Sequence, residues 1–104
     1  MNIINLTPHE IVVVGDGATK ILPSGAVARV TTTRQKVAQI GEIPIYRSVT
    51  GAVTGLPESV DGTVYIVSAM VRLAVPSRTD IVSPGELVRD ASGQPIGCRG
   101  FDGN

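Results

Sequence analysis

The sequence predicts a mainly β fold, a small antiparallel β-barrel or sandwich with one short α-helix, and three observations predict it. The apolar content is carried by valine and isoleucine, with no tryptophan and one phenylalanine. β-Branched side chains suit a pleated, half-buried surface and lose rotamer freedom in a helix. Twelve glycines and seven prolines punctuate the chain at short intervals, as turns between short strands require. Only one segment, near residues 69–75, combines an N-cap, a run of helix-compatible residues and a proline stop. With 104 residues, the chain reads as one domain spanning 1–104.

The elements follow in order. Residues 2–6 (NIINL) form a short extended run, and Thr7 before Pro8 is pushed toward extended geometry. Residues 11–14 (IVVV) read as a buried strand. Gly15-Asp16-Gly17 is a tight-turn signal, after which 19–22 (TKIL) pairs back as a hairpin. Residues 23–25 (PSG) make another turn, and the apolar-polar alternation of 26–33 predicts a half-exposed strand. Residues 34–42 are ambiguous. Val37 and Ile40 lie three apart, which permits a helical turn, but a strand with a bulge is equally compatible. Residues 43–49 (IPIYRSV) form a strand, with Pro44 favouring its start or an edge. The glycine-rich 50–62 reads as a loop or hairpin tip with an extended piece near Val53.

Residues 63–67 (TVYIV) give the strongest strand signal. Ser68 caps a helix over 69–75 that ends at Pro76, with Val71, Leu73, Ala74 and Val75 inward and Arg72 outward. Residues 80–82 are extended, 83–85 (SPG) turn, and 86–90 with 94–101 read as a final hairpin.

Nine basic and nine acidic residues leave no net charge, which argues against a general nucleic-acid or membrane-surface binder. A single cysteine, Cys98, excludes an intrachain disulfide, and a reducing compartment is the simplest expectation. The first residues lack a signal-peptide pattern, and no apolar run approaches the roughly 20 residues that span a bilayer. A soluble, cytoplasmic protein is expected. The mean hydropathy of +0.24 suggests apolar surface to spare for subunit contacts, so a homo-oligomer is expected.

Catalytic patterns are missing. One histidine and one cysteine give no metal-ligand set, and 16–20 (DGATK) lacks the phosphate-loop spacing. No cofactor and no metal are expected, and the chain reads as a non-enzyme. Cys98 beside Arg99 reads as a small residue filling strand space rather than a nucleophile. The better candidates surround the helix. Arg72 projects from it, and Ser77, Arg78, Thr79 and Asp80 place hydroxyl, guanidinium and carboxylate groups on one loop. Such a set can read a phosphate and a ribose together. The competing reading is local, with Ser77 and Asp80 serving loop amides and Arg78 paired to Asp80. Tyr65 and His9 are candidates to stack on a base, while Arg29 and Arg47 could add charge from a neighbouring element or subunit.

The phrases INLTPH (4–9), PSGAVARV (23–30), TGLPE (54–58), YIVSAMV (65–71) and PGELVRDASGQPIGCRGF (84–101) cover nearly the whole chain. Together they resemble a family of short proteins encoded by bacteriophages and by actinobacterial and other bacterial genomes. The resemblance implies a phage or prophage setting and supplies no catalytic residue. It suggests an anti-defence "sponge", a host-cytoplasmic homo-oligomer that sequesters a nucleotide-derived immune signal of cyclic-nucleotide or ADP-ribose type. In that reading Arg72 and Arg78 hold phosphates, Asp80 or Ser77 takes ribose hydroxyls, and Tyr65 or His9 stacks. The alternative is a structural or interaction protein, a virion component or an inhibitor acting by protein–protein contact. It predicts an exposed apolar patch and no arginine-lined pocket.

Overall fold

A computed structural model describes residues 1–104. Ten strands and one helix follow in order: β1 (Asn2–Asn5), β2 (Ile11–Val14), β3 (Ala18–Ile21), β4 (Arg29–Ile40), β5 (Ile43–Thr54), β6 (Thr63–Ile66), α1 (Ala69–Ala74), β7 (Ile81–Pro84), β8 (Leu87–Arg89), β9 (Pro95–Cys98) and β10 (Phe101–Gly103). They build a four-stranded sheet β1-β6-β7-β10, a second four-stranded sheet β3-β2-β9-β8, and a separate two-stranded ribbon β4-β5. The fold is mainly β with one short helix, as expected. None of the sheets closes into a barrel, so the sandwich alternative fits.

The first sheet is mixed rather than antiparallel. β1 pairs parallel with β6, β6 pairs parallel with β7, and only β10 runs antiparallel to β7. Two parallel neighbours cannot be joined by a tight turn; they need a crossover of about a dozen residues, usually with a helix. Residues 67–80 are that crossover. Ser68 accepts a hydrogen bond from the Val71 amide at 3.3 Å to cap α1, and Pro76 follows the C-cap Val75. Val71 is buried on the inner side of this helix, whereas Leu73, expected inside, is exposed. Residues two apart lie about 200° apart around a helix axis, so the face that buries Val71 turns Leu73 outward.

The core lies between the crossover and the first sheet. Leu6, Ala28, Tyr65, Val67, Val71 and Ile81 form its buried cluster, with Ile4, Val30, Val53, Leu56 and Val75 packed around it. Glycine is required at residue 55. Its φ of +77° lies in the left-handed region, and a Cβ there would collide with the Val27 carbonyl.

The ribbon is the largest departure from the sequence expectation. Residues 34–42, left open between a helical turn and a bulged strand, and 50–54, where only an extended piece near Val53 was expected, belong to one hairpin of two 12-residue strands. It reverses at Gly41-Glu42, where Gly41 has φ +59° at the first central position of a two-residue turn. The register shifts between Lys36 and Ala38, leaving Val37 as an extra residue, and again between Val30 and Thr32. The bulge at Val37 accounts for the spacing of three between Val37 and Ile40 that imitates a helical turn. Val30 and Val53 anchor the ribbon to the core, but every residue from 31 to 52 is exposed except near its foot, where burial begins at Val53. The ribbon is an arm projecting from the body. Accordingly the radius of gyration is 16.7 Å, against about 13 Å for a compact domain of this length.

Candidate functional site

The crossover brings together part of the predicted site. Ser77, Arg78, Thr79 and Asp80 line a concavity of about 370 Å³ with Ser59, Asp61 and Thr63. Within it the Arg78 guanidinium is already engaged. Nε donates to Asp80 Oδ1 at 2.8 Å, Nη2 donates to Asp80 Oδ2 at 2.8 Å, and Nη2 also donates to the Pro57 carbonyl at 3.0 Å. This two-pronged pair is the strong form of a charge-assisted hydrogen bond. It holds the Asp80 carboxyl down at about 2, mainly through the Arg78 hydrogen bonds, and raises the Arg78 guanidinium above its ordinary value. The loop thus carries its own counter-ion. The other polar side chains lining the concavity are the hydroxyls of Ser59, Thr63, Ser77 and Thr79 and the carboxylate of Asp61.

The other predicted residues lie elsewhere. Arg72 does not line the concavity; its Nε donates to Ser83 Oγ at 2.8 Å and its Nη1 to Asn104 Oδ1 at 3.3 Å. Tyr65 is 3% exposed, a member of the core cluster, and its hydroxyl reaches the Glu58 carbonyl at 3.4 Å. No ring face is presented to a stacking base in this protomer, because β6 is covered on the side where Tyr65 points. His9 lines a different groove, of about 430 Å³, along with Glu10, Ile11, Leu87 and Ile96. Cys98, also on that groove, is buried and unpaired by any disulfide. No three His, Cys, Asp or Glu side chains gather as a metal site requires.

The familiar phrases turn out to be joints. In INLTPH, the buried Asn5 donates from Nδ2 to the His9 carbonyl at 2.8 Å and the Ile21 carbonyl at 3.1 Å. Its Oδ1 accepts from the Thr7 amide at 2.9 Å and the Thr7 hydroxyl at 2.7 Å. Every polar atom of that amide is satisfied, so one side chain fastens the 5–9 turn to the end of β3. In PSGAVARV, the Ser24 hydroxyl donates to the Asn5 carbonyl at 2.8 Å. In VRDASGQ, Asp90 Oδ1 accepts from the Ser92 amide at 2.9 Å, the Ser92 hydroxyl at 2.7 Å and the Gln94 amide at 3.0 Å. A further joint went unread in the sequence. Asn104 donates from Nδ2 to the carbonyls of Arg72, Val75 and Arg78, binding both ends of the crossover loop. An asparagine at the end of a chain gives no pattern that would have pointed to it.

Sequence reasoning also missed the arm as a surface. On β5, strand alternation puts Ile43, Ile45, Arg47 and Val49 on one face; their partners on β4 are Ile40, Ala38, Gln35 and Thr33. The opposite face carries Tyr46, Ser48 and Thr50 across from Lys36, Arg34 and Thr32, with Arg34 stacked 4.4 Å from the Tyr46 ring centre. The arm is therefore amphipathic, and its apolar face is bare. Ile40 is 66% exposed and Ile43 68%.

Searches against protein-family models, curated proteins and solved structures return no match for this chain.

Proposed function

We propose that this protein is a non-catalytic interaction module, a small structural or inhibitory protein of phage type that works by protein–protein contact through the β4-β5 arm. The observation that carries the reading is the arm itself, a projecting ribbon with one apolar face and no cover. Monomeric soluble proteins seldom leave a contiguous apolar face of this kind open, and such faces mark association surfaces. The phage setting rests on the sequence resemblance alone. The test uses tagged wild type and an Ile43→Glu/Ile45→Glu variant, both isolated from producing cells. A stoichiometric protein partner, either a further copy or another chain, accompanies the wild type and is lost from a variant that keeps the circular dichroism of the wild type. Equal recovery with both proteins would refute the reading.

A second reading, sequestration of a nucleotide-derived signal by a homo-oligomer, is supported by the 370 Å³ concavity and its hydroxyls at Ser59, Thr63, Ser77 and Thr79. It requires Arg78 to exchange Asp80 for a ligand phosphate, and the ion pair opposes that exchange. A thermal-shift panel of cyclic nucleotides and ADP-ribose compounds separates the two. The interaction reading predicts a flat panel. A ligand at about a hundred times its dissociation constant would add about 2.7 kcal/mol and raise the melting temperature visibly.

A further inference from the structure

Three quantities agree on what covers the arm. The first is area. The chain exposes 7050 Å², about 1,500 Å² more than a compact monomer of its mass would. A stable interface buries about 800 Å² on each partner, so the excess is enough for one interface and most of a second. The second is charge. Residues 29–54 hold Arg29, Arg34, Lys36 and Arg47 against a single carboxylate, Glu42, for a net charge of +3. The chain as a whole has no net charge, so the body carries −3. An arm therefore attracts the body of another copy and repels its arm. The third is shape. The body has an apolar groove of about 430 Å³ lined by Ile11, Val12, Leu87 and Ile96, with Glu10 among its walls. Leu87 is 49% exposed there and Ile96 52%.

We infer that the arm docks on a second copy of this chain, its Ile40–Ile43–Ile45–Val49 face seated in the Ile11–Leu87–Ile96 groove of the partner. The inference rests on the interaction reading and names its occupant. Arg47, on the same face as the isoleucines, lies suitably to meet the Glu10 carboxylate. If the contact is reciprocal, two arms bury two grooves in a closed dimer; if it is not, the copies form a ring or a filament. In either case the apolar excess of each copy is covered by another copy, with unlike charges facing each other.

Light scattering coupled to gel filtration tests this on the intact protein. Wild type elutes with a mass of at least twice the 10.8 kDa of one chain. Ile43→Glu/Ile45→Glu and Leu87→Glu/Ile96→Glu each elute as monomers with unchanged circular dichroism. An equimolar mixture of the two variants regains a two-chain species, because one intact arm still meets one intact groove. Wild type that remains monomeric at the highest soluble concentration overturns the inference. The interaction reading then still stands if the arm variant alone loses a different stoichiometric partner, and falls if it loses none. A groove variant that stays assembled while the arm variant does not also overturns it, by showing arm-to-arm contact. So does a monomeric wild type whose arm shifts duplex DNA, which would assign the cationic ribbon to nucleic acid.

Discussion

Ile66 and Ile81 are wholly buried in the first sheet, whereas Ile40 and Ile43, at the tip of the arm, keep about two-thirds of their surface in water. The side chain is the same, but its surroundings are opposite. In the body, Ile81 packs in the cluster under α1 while Ile66, on the opposite face of the sheet from Tyr65, is buried as completely, so each isoleucine gains roughly the transfer free energy of a buried side chain, about 1.5–3 kcal/mol. On the arm, two strands have only each other. An isolated two-stranded ribbon is marginal in water, and its apolar face gains nothing until something covers it. The comparison teaches that the apolar richness of this chain serves two ends. Eight buried apolar residues hold one protomer together, and the exposed isoleucines of the arm are the surface that the proposed assembly would cover.

The difference can be tested at its largest in the core. Ile81→Ala should cost about 2–5 kcal/mol and lower the melting temperature by roughly 8–40 °C, at roughly 4–8 °C per kcal/mol. Ile43→Ala should leave the stability of the monomer within about 0.5 kcal/mol. Equal effects in urea melts would erase the distinction between body and arm.

A smaller contrast lies in two glycines. Gly55 joins arm to body at φ +77° with the Val27 carbonyl against it, and Gly41 turns the tip at φ +59° in open space. Gly55→Ala should cost about 3 kcal/mol, at the upper end of backbone strain, since it adds a steric conflict. Gly41→Ala should cost about 1 kcal/mol. Denaturant titration that reversed this order would mean that the foot of the arm is not fixed to the core.

The crossover loop should show a pH dependence of its own. The hydrogen bonds from Arg78 hold the Asp80 carboxyl down at about 2 in the folded chain, below the ordinary carboxylate range. A depressed carboxyl stabilises the fold fully above the unfolded value, and that contribution fades as the pH falls through about 2. Because the pair is partly exposed, its share is about 1 kcal/mol. Asp80→Asn should therefore be less stable than wild type at neutral pH and lose the difference near pH 2. A constant difference across that window would refute the assignment.

The smallest effect belongs to the polar face of the arm. Tyr46→Ala removes the Arg34 stacking contact, worth about 0.5–1 kcal/mol at an exposed site. The melting temperature of the body should stay put, because Tyr46 touches none of the core cluster. A shift as large as that of Ile81→Ala would place Tyr46 in the body's packing.

Much of the body was legible in the sequence. The runs IVVV and TVYIV, the Ser68 cap and the Pro76 stop are local signals, and local forces decide those elements. Two other features were not. The parallel order of β1, β6 and β7 depends on long-range pairing that no local pattern encodes, so the helix was legible but its role as a crossover was not. The arm was hidden by its bulges. With Val37 outside the register, alternation breaks in the middle of β4, so a helical turn and a bulged strand were equally open for 34–42, and the bulged strand is the one that forms. The candidate site was half legible. Ser77, Arg78 and Asp80 do meet, but the sequence alone left open whether Arg78 faces a ligand or Asp80, and both prongs of the guanidinium face Asp80.

Hydrogen–deuterium exchange, comparing wild type with Ile43→Glu/Ile45→Glu at one protein concentration, tests the division between arm and body most directly. The amides of residues 31–52 should be protected in wild type and exchange rapidly in the variant, with β6 and β7 equally slow in both. Identical exchange of the arm in the two proteins, or a loss of protection that spreads into β6 and β7, would contradict the claim that the arm is a folded surface covered by a second copy.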